Sequence, residues 1–307
     1  MEFVKRIFKM MGCRFEIGIY GKEKLFINEC ISSVINELSI LEDLLSTYKD
    51  NSQTNLINSK AGIEAVEVDK RVFELIQYSI GISELTDGLF DITYGSLNDI
   101  FWNFDTTMIK LPLQNIIESK KVNYKNIQLE RSCCKVYLNE KKIKIGFGGI
   151  GKGFAADYGK NIFINHGLDC GFINASGDLT AWGNSPNDDF WKIGIKDPFN
   201  HSKTILNLNI KNAAVATSGN YEKFTIINNE IISHTINPIT GNPVKGLKSI
   251  SIIAPTAIYA DAMATSLGIL SARKGIELIN KIEGIEAFII DNNNQYHYSN
   301  NFADFVV

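Results

Sequence analysis

Proline is scarce in this sequence, with six residues in 307, and none gathers with serine into a spacer. Without a Pro- or Ser-rich linker the chain reads as one continuous domain over residues 1–307. Charge of one sign is missing too: 31 Lys and Arg face 34 Asp and Glu, a net of −3. That balance leaves no electrostatic footprint for nucleic acid or an anionic membrane surface. Lys110, Lys120, Lys121 and Lys125 form a local basic group and read as a solvated face. No run of 18 apolar residues occurs, so no segment reads as a transmembrane helix. The opening "MEFVKRIFKMMGCRFEIGIYG" has charges within its apolar stretches and no small-residue cleavage site. The chain as it stands is therefore expected in the cytoplasm. Cysteine is sparse: Cys13, Cys30, Cys133, Cys134 and Cys170 are odd in number and lack C-x-x-C spacing. Reduced, buried thiols are expected over disulfides or zinc ligands.

What is present is a 45% hydrophobic chain with legible periodicities. Residues 3–20 alternate as a strand. In "KLFINECISSVINELSILEDLLSTY", Leu25, Cys30, Ile31, Val34, Ile35, Leu38, Leu41 and Leu45 recur at helical spacing. "KRVFELIQYSIGISELTDG" predicts a second helix closed by Gly88. "FDITYGSL" reads as strand-like or irregular, and "LQNIIESK" as a short helix. "CKVYLNEKKIKIGF" predicts a hairpin turning near Asn139 and Glu140. Further helices are expected in "GFAADYGKNIFINHG", "AIYADAMATSLGILSA" and "KGIELINKIEG". Strands are expected in "CGFINAS", "WKIGIKD", "TILNLNI", "AAVATSG", "FTIINNEIISHTI", "LKSISIIAP" and "AFIIDNNNQYHY". Strands mostly meander and helices cluster, so an α+β fold is expected rather than a doubly wound parallel sheet.

"GFGGIGKGFAAD", residues 146–157, satisfies two nucleotide motifs imperfectly. Gly146, Gly148 and Gly151 spell the G-x-G-x-x-G dinucleotide fingerprint, but mid-chain, behind a predicted hairpin. Gly146, Gly151 and Lys152 begin a P-loop, which fails at Gly153, where a Ser or Thr is needed for magnesium. Taken alone, the small residues serve close packing of a helix on a strand. Lys152 at a helix start does not fit that account, because a cation there opposes the helix dipole unless an anion is bound.

The loop belongs to an ordered series: "MMGCRFEI", "LSTYKDNSQTNLIN", "TDGLFDITYGSL", "GGIGKGFAAD", "INASGDLTAWG", "WKIGIKDP", "VATSGNYEKF", "SHTINPITGNPV" and "IIAPTAIYADAMATSLGIL". The series resembles the ApbE family, the FAD:protein FMN transferases, over nearly the whole chain. The resemblance implies a T-fold-like arrangement of meandering antiparallel strands and clustered helices. It also implies magnesium-dependent transfer of FMN from FAD to a Ser or Thr hydroxyl of an acceptor protein, releasing AMP. Some members of the family instead hydrolyse FAD to FMN and AMP. A non-catalytic FAD-binding protein is a third reading.

Site residues follow position by position. "ADAMATS" puts Asp261 and Thr265 at i and i+4 on one helical face, a sparse hard-oxygen pair that suits magnesium. The resemblance makes them metal ligands, with the backbone oxygen of Gly149, and Ala264 contributing only through its backbone. Alone, Asp261 reads as a helix N-terminal acid. Met11, Tyr48, Leu89, Phe90, Asp91, Lys152 and Ile236 match FAD-contacting positions of the family, as does Gly146, where the family usually has Asp. His234, in "SHTINP", is the candidate general base for the acceptor hydroxyl, since imidazole ordinarily titrates near 6.5. Two further departures are Ser176, for a usual glycine, and Gly151, for a common alanine.

Overall fold

The computed structural model describes residues 1–98, 122–185, 188–200, 202–219, 224–227, 230–233, 237–242, 244 and 247–307. Along the chain run β1 (Glu2–Met10), β2 (Cys13–Gly21), α1 (Lys24–Leu45), α2 (Gln53–Ser59), β3 (Val66–Glu67), α3 (Lys70–Leu85) and α4 (Gly95–Asn98). Then come β4 (Ile127–Glu130), β5 (Lys135–Leu138), α5 (Gly151–Asn165), β6 (Gly171–Ala175), β7 (Asp178–Trp182), β8 (Trp191–Lys196) and β9 (Thr204–Ile210). The remainder is β10 (Ala213–Ser218), β11 (Phe224–Ile227), β12 (Glu230–Ser233), β13 (Ser249–Ala254), α6 (Ala257–Leu267), α7 (Ala272–Ile279), β14 (Glu286–Ile290) and β15 (Tyr296–Tyr298). These elements divide into two compact units. One holds residues 1–42, 149–219 and 247–307, and the other holds 43–148 and 220–246.

The first unit is built on an eight-stranded sheet in the order β1-β2-β6-β7-β10-β13-β14-β15, antiparallel at every step. The alternating N-terminal segment is a hairpin, not the single strand its alternation predicts. Met11 (φ 50°) and Gly12 (φ 70°) form a two-residue turn, the left-handed pair that matches strand twist. On β2, Phe15, Ile17 and Ile19 face the interior. On α1, Cys30, Ile31, Val34, Leu38, Leu41 and Leu45 are buried as expected and Ile27 joins them, whereas Ile35 is half-buried and Leu25, in the first turn, is exposed. A Cβ on Gly159 would meet Ile173 at 2.7 Å and Val34 at 3.2 Å, so this glycine sets how closely α5 packs on β6 and α1. The opposite face of the sheet is covered by the β8–β9 hairpin. There Trp191, Ile195, Leu208 and Ile210 pack with Leu179, Val215, Ile253, Phe288 and Phe302. With both faces covered, every residue of β7, β13 and β14 is buried. Side chains alternate along β7, so Asp178 lies on the pleat opposite Leu179.

The β6–β7 turn places Ser176 at φ 58° and Gly177 at φ 110°, with the Gly177 N–H donating 2.8 Å to Asn174 Oδ1. A left-handed conformation costs a non-glycine residue about 1–2 kcal/mol, and glycine returns part of that as unfolded-chain entropy. Ser176→Gly is therefore expected to stabilise the protein by roughly 0.5–1 kcal/mol. A higher urea midpoint at unchanged slope checks this; a lower one counts against a strained Ser176.

In the second unit a three-stranded sheet runs β3-β5-β4, and β11 pairs with β12. The predicted hairpin turn near Asn139 is displaced: β5 pairs with β4 and β3, and residues 143–147 form no strand. Side chains have taken that segment's backbone groups. Asn58 accepts from Ile145 N–H at 2.7 Å and donates to its carbonyl at 3.0 Å, while Ser96 Oγ accepts from Lys144 N–H at 2.9 Å. Helix α3 ends at Leu85, and Gly88 (φ 79°) donates back to the Ser83 carbonyl at 2.8 Å. "FDITYGSL" becomes a 3₁₀ turn over Ile92–Tyr94 and then α4. The segment "LQNIIESK", with Lys110, Lys120 and Lys121, lies outside the described residues.

All five cysteines are free, but only Cys30 and Cys170 are buried; Cys13, Cys133 and Cys134 are half-buried. Among the described residues no helix is long and apolar enough to cross a membrane.

Candidate active site

Helices α5 and α6 meet at their N-terminal ends, and the charged groups gather there. Ile150 precedes α5 and has no polar side chain to cap it. Instead the Gly153 N–H donates 3.0 Å to Asp261 Oδ2, from the second turn of α6. Only glycine permits this approach, because a Cβ at 153 would stand 2.2 Å from the Ala257 carbonyl oxygen. One turn along α5, Asp157 Oδ2 accepts from the Ile258 N–H at 2.9 Å. The Thr256 hydroxyl, ahead of α6, accepts from Tyr259 N–H.

The charged groups lie close together. Lys152 Nζ pairs with Asp178, which is buried in β7. Burial pushes the Asp261 carboxyl up, against the nearby charge of Lys152 and the hydrogen bond from Gly153. Lys152 thus faces two buried carboxylates, those of Asp178 and Asp261.

Thr265 follows Asp261 by one helical turn and is half-buried, while Ala264 is buried. A Cβ on Gly149 would stand 2.9 Å from Thr265 Oγ1, so the main chain at Gly149 runs against that hydroxyl. Among the described residues no three His, Cys, Asp or Glu side chains group as they do in a ligand-rich metal site. The oxygens at hand are the Asp261 carboxylate and, one turn on, the Thr265 hydroxyl, with the Gly149 main chain beside it. Such a sparse, hard-oxygen set fits magnesium, which keeps waters and takes substrate oxygens as further ligands. It does not fit zinc or a soft metal.

In the second unit Asp91 is buried and already well occupied. Its Oδ1 accepts from the Thr93 N–H at 2.8 Å and hydroxyl at 2.7 Å, and its Oδ2 from the Tyr124 N–H at 2.7 Å. Burial raises its pKa against those bonds. Asp91 lines a cavity of about 340 Å³ with Asp87, Gly88, Asn123, Tyr124 and Ile239. Leu89 is half-buried, and Phe90, at 4% exposure, belongs to the core of the unit rather than to the cavity. The Gly146 N–H donates 2.9 Å to the Ile92 carbonyl, and Gly148 N–H donates 3.2 Å to the Tyr94 hydroxyl. A Cβ at 146 would lie 3.3 Å from that hydroxyl, so a larger residue here would press on Tyr94.

Met11 sits in the β1–β2 turn, half-buried, its N–H donating 2.8 Å to Glu42 Oε1. Tyr48 is 85% exposed, so its ring is free of the core. His234 and Ile236 lie outside the described residues. Three groups escaped sequence reasoning: Asp178, Asp157 and Tyr94. The first two stand in the motifs "NASGD" and "KGFAAD", but nothing local announces their partners.

The ApbE family model matches residues 11–289 of the chain. The chain is 26% identical over 290 residues to the FAD:protein FMN transferase of Salmonella typhimurium, covering 92% of this chain and 82% of that protein. It is 31% identical over 276 residues to the enzyme of the same name from Buchnera aphidicola subsp. Schizaphis graminum, covering 87% and 79%. The crystal structure of the ApbE protein from Thermotoga maritima matches with a TM-score of 0.90 at 28% identity, over 99% of both chains.

Proposed function

The chain belongs to the ApbE family, and on that premise we propose that it transfers FMN from FAD to a Ser or Thr hydroxyl of an acceptor protein, with magnesium, releasing AMP. Both compact units are read as parts of one functional domain spanning residues 1–307. One observation carries the reading: Lys152 faces two buried carboxylates where the N-termini of α5 and α6 meet. Buried carboxylates at a helix-end cluster suit a divalent cation, and the cation in turn suits a dianionic pyrophosphate.

In the reaction the acceptor oxygen bonds to the phosphorus of the FMN half, and the bond from that phosphorus to the bridging oxygen breaks. AMP leaves with the bridging oxygen and its electron pair. Positioning and charge neutralisation dominate such chemistry. Lys152 and the N-terminal end of α5 would face the pyrophosphate, where helix dipole and ammonium both favour an anion. Asp178 holds the lysine side chain in place. Asp261, Thr265 and the Gly149 carbonyl would hold magnesium, with Ala264 adding only backbone. When bound, the metal supplies neutralisation of pyrophosphate charge. Asp91 would offer a remaining lone pair to an FAD donor, and Leu89 and Phe90 would act through backbone and shape. Met11, Tyr48, Gly146 and Ile236 complete the expected FAD contacts. His234 would take the proton from the acceptor hydroxyl as it attacks.

Incubation with FAD, magnesium and a candidate acceptor tests the reading. A covalently yellow acceptor, heavier by one FMN, is expected. Free FMN and AMP alone would make water the nucleophile, and intact bound FAD would make the protein a binder only. In flavin-fluorescence titrations FAD should bind more tightly than FMN, and more tightly than NAD by competition. Equal affinity for NAD would count against a site that grips both halves of a flavin dinucleotide.

A further inference from the structure

We infer that Asp157 is a positioning residue for the cation-binding face of α6, tying the first turn of that helix to α5 and so setting where Asp261 and Thr265 stand. The inference rests on the metal reading proposed above and deepens it with a residue that acts through the helix.

The argument starts from a reciprocal exchange. Helix α5 donates its Gly153 N–H to Asp261 of α6, and α6 donates its Ile258 N–H to Asp157 of α5, at 3.0 and 2.9 Å. Gly153 and Asp157 are i and i+4 on α5, and Ile258 and Asp261 are i and i+3 on α6, so each pair shares a face. Two bonds in opposite senses fix both the slide and the rotation of one helix against the other. Between them the backbones touch, with the Ala257 carbonyl occupying the space a Gly153 side chain would need. Removing Asp157 leaves the Gly153–Asp261 bond to align the two helix ends, on the residue that would also hold the cation.

Asp157 is not required merely to start α6. Thr256 already stands at the N-cap position and takes an N–H of the first turn. A second, charged cap comes at a cost. Asp157 is 7% exposed. Burial pushes its carboxyl up, against the pull of the Ile258 and Ala257 N–H groups, the Lys160 charge and the Thr180 hydroxyl. A buried carboxylate is expensive, and a neutral cap would form the helix more cheaply. What Asp157 adds beyond capping is the tie between the two helices. Alignment then propagates one turn at a time: Ile258 is fixed, Asp261 lies one turn on, and Thr265 another turn on, against Gly149.

The test uses Mn²⁺ as a paramagnetic probe, titrated into the full-length, FAD-free protein and read by the loss of the free-ion resonance. Asp157→Ala is expected to weaken Mn²⁺ about 10–100-fold, the range seen when residues that orient metal ligands are removed. Asp157→Asn keeps an acceptor for Ile258 N–H and should bind Mn²⁺ nearly as wild type does. Thr256→Ala should lower the melting temperature and leave Mn²⁺ affinity alone. If the alanine variant does not fold, Asp157→Ser, too short to reach Ile258, replaces it. Wild-type affinity in Asp157→Ala or Asp157→Ser overturns the inference, as does an equal loss in Thr256→Ala, which would reduce the effect to helix stability. A loss in Asp157→Asn as large as in Asp157→Ala also overturns it, because charge and not the hydrogen bond would then matter. A wild-type protein that binds no Mn²⁺ either alone or with FAD removes the metal reading itself, and the inference with it.

Discussion

Asp261→Ala is expected to lower FMN transfer by roughly 10²–10⁴-fold, the several kcal/mol that a metal contributes to neutralising developing charge. The alanine variant alone would be ambiguous, because it also strips the acceptor from the Gly153 N–H at the start of α5. Asp261→Asn separates the two effects. It keeps an oxygen for Gly153, removes the charge that a hard cation needs, and should be nearly as inactive as alanine. Its stability should move the other way. Burial raises the Asp261 pKa, so the charged form is disfavoured in the folded protein, and in metal-free buffer at neutral pH the neutral amide should melt at or above the wild-type temperature. Thr265→Ala should cost less, since it removes a neutral ligand. Single-turnover FMN release at saturating FAD, with melting curves alongside, checks each of these. Full activity of Asp261→Asn in the presence of a chelator would sink the magnesium assignment.

His234→Ala should lose about 10²–10⁴-fold in turnover while FAD affinity changes little, the usual contribution of a general base. His234 lies outside the described residues, so this expectation rests on its place in "SHTINP" and on imidazole chemistry. Protonated imidazole cannot accept the hydroxyl proton. The wild-type rate should therefore fall as pH drops through a histidine pKa near 6.5, and the variant should lack that inflection. Normal turnover at saturation with weakened FAD binding would make His234 a binding residue instead.

How much of this was legible beforehand depended on how far apart in the chain the interacting groups lie. The Asp261–Thr265 pair could be read from four-residue spacing alone, because both stand on one helix. Most of the α1 core stripe was legible for the same reason, though Leu25 in the first turn is exposed, Ile35 is half-buried and buried Ile27 was missed. The Lys152–Asp178 pair spans 26 residues and depends on α5 lying over β7, and the Asp157–Ile258 bond spans 101. Neither has a local signature. The misplaced hairpin has a different cause: the alternation in 143–147 is real, but Asn58 and Ser96 compete for its backbone with side-chain bonds that no pattern announces. At the N-terminus a strand-like pattern concealed a turn, because Met11 is a rare residue to adopt φ 50°. Phe90 matched an FAD-contacting position, and in the fold its side chain is buried and its N–H donates to the Thr86 hydroxyl.

The strand order has a further consequence, for how the chain reaches its native state. Strand β2 finds its neighbour β6 by pairing residues 15–19 with 171–175, and the whole first block of the second unit, 43–148, lies in that loop. Contacts so distant in sequence require entropy to be spent before they return any stabilisation, and chains dominated by them fold slowly. During synthesis the β1–β2 hairpin emerges well before β6 and keeps an open hydrogen-bonding edge until β6 has been made. The helix bearing Asp261 and Thr265 comes some 85 residues later still, so a nascent chain exposes strand edge well before it possesses a metal site. The demand this fold places on a cell is therefore protection of that early edge, which the charged β1 strand, with Lys5, Arg6 and Lys9, covers on one side alone.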